Sequence, residues 1–135
     1  MDLERFVEAQ AAVYGRVCDE LRRGEKRSHW MWFVFPQIAG LGRSEMARRY
    51  ALASLDEARA YWEHPLLGAR LRECVELLNG LEGRTIEQVM GYPDDMKLRS
   101  SLTLFARACT GNQIFLDALQ KFYEGELDAE TLRRL

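Results

Sequence analysis

Two tryptophans, one of the two histidines and a pair of glycines fall within Lys26 to Ser44, KRSHWMWFVFPQIAGLGRS. Residues of these types, this close together, suit the capture of a flat, phosphorylated molecule. Trp30 and Trp32 offer aromatic faces on which a base can stack, and Gln37 offers an amide for a polar contact. In Gly40-Leu41-Gly42-Arg43-Ser44, successive turn amides, the Arg43 guanidinium and the start of a helix can form a concave anion site. The residues fit neither common phosphate motif. Gly-Arg-Ser stands where a Walker loop has Gly-Lys-Ser/Thr, and Glu45 stands where the dinucleotide pattern has its third glycine. A turn closed by a serine cap accounts for the same residues without a ligand.

Proton transfer would fall to His29, an imidazole that can give or take a proton, or to Asp95 and Glu45 as carboxylates that direct water. Lys97, next but one to Asp95, would hold an anion. Each has a plainer role. The aromatic run makes a core plug, and Glu45, Asp94 and Asp95 complement the positive ends of helices. Ser44, Ser100 and Ser101 lack an activating partner in sequence, so no nucleophile stands out. His64, in Glu63-His64-Pro65, is placed to cap the last carbonyls of the helix before it. With no His-x-x-x-His, no Glu-x-x-His and no Cys-x-x-Cys, neither a bound metal nor a cofactor is expected. Cys18, Cys74 and Cys109 are odd in number and widely spaced, so each reads as a small buried apolar side chain rather than half of a disulfide.

Helices must position these residues. A first one runs from Asp2 as cap to Gly24, with Phe6, Val7, Tyr14, Val17, Cys18 and Leu21 on one stripe. Glu25 to Ser28 is a charged break. The run Trp30 to Phe35 has no periodicity, and strand, buried helical turn and irregular core all fit it before Pro36. Ser44 caps a short helix through Tyr50, and Ser54-Leu55-Asp56-Glu57 reads as a capping box opening a helix to Glu63. Pro65 starts another, carrying Leu66, Leu67, Leu71, Cys74, Val75 and Leu78 to a left-handed Gly80. Thr85 to Gln88 repeats the box. After Gly91-Tyr92-Pro93 a long helix carries Leu98, Leu102, Phe105 and Cys109, Asn112 caps the next one as far as Gly125, and Asp128 opens a last turn. No segment alternates apolar and polar residues long enough for a sheet. The expected fold is all-α, an irregular single-domain bundle of about six to eight short helices spanning residues 1–135.

Composition narrows the function classes. The 135 residues are 47% hydrophobic and 30% charged, with only 10 glycines and 3 prolines, which excludes disordered and collagenous chains. Nineteen basic against 21 acidic residues give a net charge of -2, which argues against a duplex-DNA binder. The longest apolar run is far short of the ~20 residues of a membrane-crossing helix, and the acidic start differs from a secretory signal. A cytoplasmic protein is expected.

Four segments carry a resemblance: SHWMWFVFPQ from Ser28, GLGRS from Gly40, EHPLLGARL from Glu63 and DMKLRSS from Asp95. Together they resemble a bacterial family of uncharacterised, mainly helical proteins sometimes labelled calpastatin, over nearly the whole chain. That resemblance implies a helical fold and family membership, and carries no activity. A fainter similarity, with the segments in another order, is to the small helical N-glycosidases of riboflavin biosynthesis and ADP-ribose removal. It implies a ribosyl phosphate as substrate class.

Two readings follow. In one, His29, Trp30, Trp32, Gln37, Gly40, Gly42, Arg43, Ser44, Asp95 and Lys97 converge on a pocket that binds or hydrolyses a phosphorylated ribosyl compound, with Glu45 as a further base. In the other, the Trp30 to Phe35 segment is exposed and anchors another protein or a second copy of the chain.

Overall fold

The computed structural model describes residues 2–135, and its regular structure is helical. The helices are α1 (Glu4–Ala11), α2 (Tyr14–Arg23), α3 (Met31–Val34), α4 (Glu45–Arg49), α5 (Leu55–Glu63), α6 (Pro65–Asn79), α7 (Ile86–Met90), α8 (Asp94–Ala108), α9 (Gln113–Tyr123) and α10 (Ala129–Arg133). Four of them, α3, α4, α7 and α10, are single turns of four or five residues. The other six form the bundle, in keeping with the all-α expectation. Among the described residues no helix is long and apolar enough to cross a membrane.

One hydrophobic core joins these elements. Its spine is a relay of rings: Phe6 meets Tyr61 edge-on at 5.1 Å, Tyr61 meets Phe105 at 5.5 Å, and Phe105 stacks near Phe115 at 5.7 Å. These rings link α1, α5, α8 and α9. Every residue of α8 from Ser100 to Ala106 is buried, as expected of a helix wrapped on all sides. Of its polar members, Thr103 donates to the Arg99 carbonyl at 2.8 Å and the Ser100 hydroxyl lies 3.2 Å from that of Met96, while the buried Ser101 hydroxyl has no hydrogen-bond partner.

Several sequence expectations need correction. The first helix is two, because the chain breaks at Ala12 and Val13 so that α1 can lie on α3 while α2 lies on α6. Gln10 occupies the seam. Its buried amide donates to the Phe33 carbonyl at 2.7 Å and the Tyr61 hydroxyl at 2.9 Å. Gly24 takes the left-handed conformation that ends α2, whereas Gly80 remains right-handed at φ -83. Ser54 caps α5, yet Glu57 returns its bond to the Ala53 amide rather than to Ser54 itself. Thr85 and Gln88 do form the reciprocal box. His64 caps forwards, its Nδ1 accepting from the Leu66 and Leu67 amides, both at 3.2 Å, because the first-turn amides of α6 have no carbonyl one turn back to bond. Asn112 turns backwards, donating to the Ala106 carbonyl at 2.8 Å near the end of α8.

The aromatic run resolves as a buried helical turn. Trp30, Met31, Phe33, Val34 and Phe35 are all in the core, and only Trp32 is part-exposed. The segment therefore presents one indole to solvent, and the reading of it as an exposed anchor fails for the rest.

Candidate functional site

Glu20 decides how the aromatic run enters the core. Its Oε1 accepts from the Arg27 amide at 2.8 Å, the Ser28 amide at 3.0 Å and the Trp30 indole N–H at 2.9 Å, while Oε2 accepts from the Ser28 hydroxyl. Burial pushes this carboxyl up, but the four hydrogen bonds together outweigh burial and hold it at about 2. The charged break is thereby folded onto α2, with Trp30 sealed at 1% exposure. Lys26 covers the same indole at 4.9 Å and reaches Asp94 at 2.8 Å.

Trp32, two residues on, faces the other way, into the wall of a cavity of about 430 Å³. The opposite wall is the segment from Gln37 to Leu52, an excursion whose ends are tied together. Leu52 donates to the Gln37 carbonyl at 2.9 Å and accepts from the Ala39 amide at 2.8 Å. From α1, Arg5 pins the returning strand of the loop through the carbonyls of Arg49 and Ala51, each at 2.9 Å. Inside the excursion, Ser44 caps α4 by accepting from the Ala47 amide at 3.1 Å. Gly42 then packs so closely on α4 that a Cβ there would stand 2.4 Å from that of Ala47.

The lining includes Trp32, Gln37, Gly40, Gly42, Arg43, Ser44 and Lys97, so these expected residues meet at one place. It also includes Arg48 and Tyr50, which sequence reasoning passed over. A signal for Arg48 existed: Ser44, Ala47, Arg48 and Ala51 follow the spacing of one helical face, and all four line the cavity. Tyr50 is held against Phe6 and Phe33, with ring centroids 5.8 and 5.4 Å away. Lys97 lies over the Trp32 ring at 5.7 Å and is 3.9 Å from Asp94, whose carboxylate is already committed to Lys26.

Arg134, which does not line the cavity, approaches the glycine turn from the other end of the chain. Gly40 has φ +98, and a Cβ on it would stand 3.0 Å from Arg134 Nε, so the guanidinium lies directly against the glycine turn. Glu130 orients Arg134 through its carbonyl at 3.0 Å and its carboxylate at 3.1 Å. Asp128 fixes the short helix that carries both, accepting from Thr131 and from Ser100 of α8.

The candidate acids and bases are not part of this wall. Trp30 is sealed in the core, His29 and Glu45 are exposed, and none of the three lines the cavity. Asp95 is buried behind Lys97, with its Oδ1 accepting from the Met96 amide at 2.9 Å and its carbonyl taking the Tyr123 hydroxyl at 2.6 Å. Burial and the nearby Asp95 charge push that tyrosine well up. The lining residues carry no carboxylate, imidazole or thiol, and three of them, Arg43, Arg48 and Lys97, are cationic. Among the described residues neither Arg43 nor Arg48 is ion-paired. No group of metal-ligating side chains occurs among the described residues either.

Residues 1–135 match the model of a family described as Protein of unknown function (DUF1810). The crystal structure of a conserved hypothetical protein from Mycobacterium tuberculosis, Rv1873, is similar at 57% identity, covering 99% of this chain and 96% of that one with a TM-score of 0.98. No curated protein matches.

Proposed function

The chain belongs to the DUF1810 family, and since that family's description assigns no chemistry, we propose from the cavity alone that the protein binds a small phosphorylated ribosyl compound of nucleotide or ADP-ribose kind. One observation carries this reading: a protein of net charge -2 gathers Arg43, Arg48 and Lys97 around a concave space with no acid in its wall. Arg43 and Arg48 have no ion-pair partner among the described residues, cations held together repel one another, and an anionic guest relieves that cost. Trp32 adds a flat apolar side for a ring, and Gln37 and Ser44 add polar contacts. The volume falls in the range of small-molecule sites. The proposed role is binding. Hydrolysis would require a carboxylate or imidazole at the wall, and Asp95, Glu45 and His29 stand elsewhere.

The test is a thermal-shift and calorimetric comparison of AMP, ADP-ribose, ribose 5-phosphate and inorganic phosphate. A bound guest raises the melting temperature by mass action, and a guest held by several cations loses affinity as salt rises. Arg43→Ala and Lys97→Gln should each weaken binding at least about tenfold, the cost of one charge-assisted hydrogen bond. No shift with any of the four, or a shift that Arg43→Ala leaves intact, refutes the reading.

A further inference from the structure

Binding an anion gives Tyr50 no task, yet this side chain is the odd one among the tyrosines. Tyr92 is 81% exposed, and its hydroxyl stands in water. Tyr14 donates to Glu73, Tyr61 accepts from the Gln10 amide at 2.9 Å, and Tyr123 donates to the Asp95 carbonyl at 2.6 Å, so each of these three hydroxyls has a protein partner. Tyr50 is only 6% exposed, and its hydroxyl has no hydrogen-bond partner among the described residues. A phenol carried this far into a protein ordinarily finds one. The oxygen is not sealed off either: among the described residues, the sealed side-chain polar atoms without a partner are Asn79 Oδ1 and Ser101 Oγ. It therefore meets open space, and the open space that Tyr50 borders is the cavity.

The ring has little freedom to turn elsewhere. Phe6 and Phe33 flank it, with centroids at 5.8 and 5.4 Å, and the Arg49 guanidinium covers it at 5.4 Å. Its place along the excursion matters as well. Arg43 stands at the far turn, whereas Gln37 and Tyr50 stand at the root, where the Leu52 amide donates to the Gln37 carbonyl at 2.9 Å and closes the loop. Gln37 is part-buried, and its side-chain amide makes no hydrogen bond to the described residues. One wall thus carries charge at its far end, neutral hydrogen-bonding groups at its root, and Arg48 between them.

We propose that Tyr50 is a specificity-determining residue of the cavity: its hydroxyl, with the Gln37 amide, hydrogen-bonds the sugar hydroxyls of the guest, so that the site takes a sugar phosphate in preference to free phosphate. This rests on the reading of the cavity as an anion site and adds to it the neutral half of the guest. A phosphate oxygen only accepts, and the guanidiniums already serve it. A sugar hydroxyl both donates and accepts, as do a phenol and a carboxamide, and it suits the uncharged root of the wall. A site built to meet such a hydroxyl rejects a guest that lacks it, because its own polar groups are then left unpaired.

Calorimetry of ribose 5-phosphate, AMP and inorganic phosphate, on the wild-type chain and on Tyr50→Phe, is the test. Phenylalanine keeps the ring between Phe6 and Phe33 and removes only the oxygen, and urea unfolding of the variant checks that the frame is intact. The variant should bind ribose 5-phosphate and AMP about fivefold more weakly than wild type and inorganic phosphate equally well, and Gln37→Leu should discriminate in the same sense. Wild type itself should bind ribose 5-phosphate at least about fivefold more tightly than inorganic phosphate, and equal affinities overturn the proposal without any variant. Affinities for ribose 5-phosphate that agree within about twofold between wild type and Tyr50→Phe, or an equal loss for all the ligands, overturn the role of Tyr50 and leave the anion site standing. If wild type binds none of them, the anion reading itself fails and takes this one with it.

Discussion

Replacing Glu20 with glutamine isolates the charge that anchors the aromatic segment. Glutamine keeps the shape and can still accept through one oxygen, so it stands in for the protonated acid. A fall from the ordinary 4.5 to about 2 in the folded protein, at about 1.4 kcal/mol per pH unit, makes ionised Glu20 worth about 3 kcal/mol. Because the folded value is the depressed one, this stabilisation is complete above the unfolded value near 4.5 and drains away as pH falls through about 2. Urea unfolding of wild type and Glu20→Gln at pH 7, 5, 4 and 3 measures it. Other carboxylates titrate over the same range, but they are shared by both proteins and cancel in the difference. The stability gap should be about 3 kcal/mol at pH 7 and should narrow to about 1 kcal/mol at pH 3, where the unfolded state binds the proton and the folded state largely refuses it. A gap that stays constant within about 0.5 kcal/mol from pH 7 to pH 3 would show that the hydrogen bonds to Glu20 do not depend on its charge, and the account of how Trp30 is held would fall.

Two further substitutions probe the frame. Gln10→Leu removes the buried amide that serves the Phe33 carbonyl and the Tyr61 hydroxyl, and should cost about 2 kcal/mol in urea unfolding; a cost under about 0.5 kcal/mol would mean the seam between α1 and α3 needs no polar link. Gly42→Ala forces a methyl against Ala47 and should reduce anion affinity about tenfold with a stability loss of about 1 kcal/mol, while Gly42→Ala combined with Ala47→Gly restores the space and the binding. Unchanged calorimetric affinity in the single variant would detach α4 from the site.

The helical caps were legible because they are local. A serine or threonine satisfies an amide two or three residues away, as Ser44, Ser54 and Thr85 do, and no distant contact can move that geometry far. The glycine turn was legible for the same reason, and with it Gly40, Gly42, Arg43 and Ser44. Arg134 was not, since only the docking of α10 on α8 through Asp128 and Ser100 brings the end of the chain against Gly40. The break at Ala12 and Val13 was hidden as well. Nothing in the local residues stops a helix there; the pull comes from two different partners, α3 and α6.

Two of the expected site residues that do not line the cavity, Trp30 and Asp95, share a geometric cause. Trp30 and Trp32 form one pair of near neighbours in sequence, Asp95 and Lys97 another, and sequence reading treats each pair as a unit. On a helix, however, residues two apart point about 200° from each other, to opposite sides. α8 obeys this: Lys97 lines the cavity beneath Trp32, and Asp95 is buried on the far side against Tyr123. The turn that carries Trp32 obeys it too, with Trp30 drawn inward by Glu20. Once a run of apolar residues is known to be helical, one member of each pair must therefore leave the site. The members that remain are an indole and an ammonium, which can hold a guest, and the members that leave are an indole already hydrogen-bonded and the carboxylate next but one to Lys97. That same parity keeps Asp95 out of the cavity wall and leaves Lys97 in it, an arrangement that favours the proposed binding of an anion.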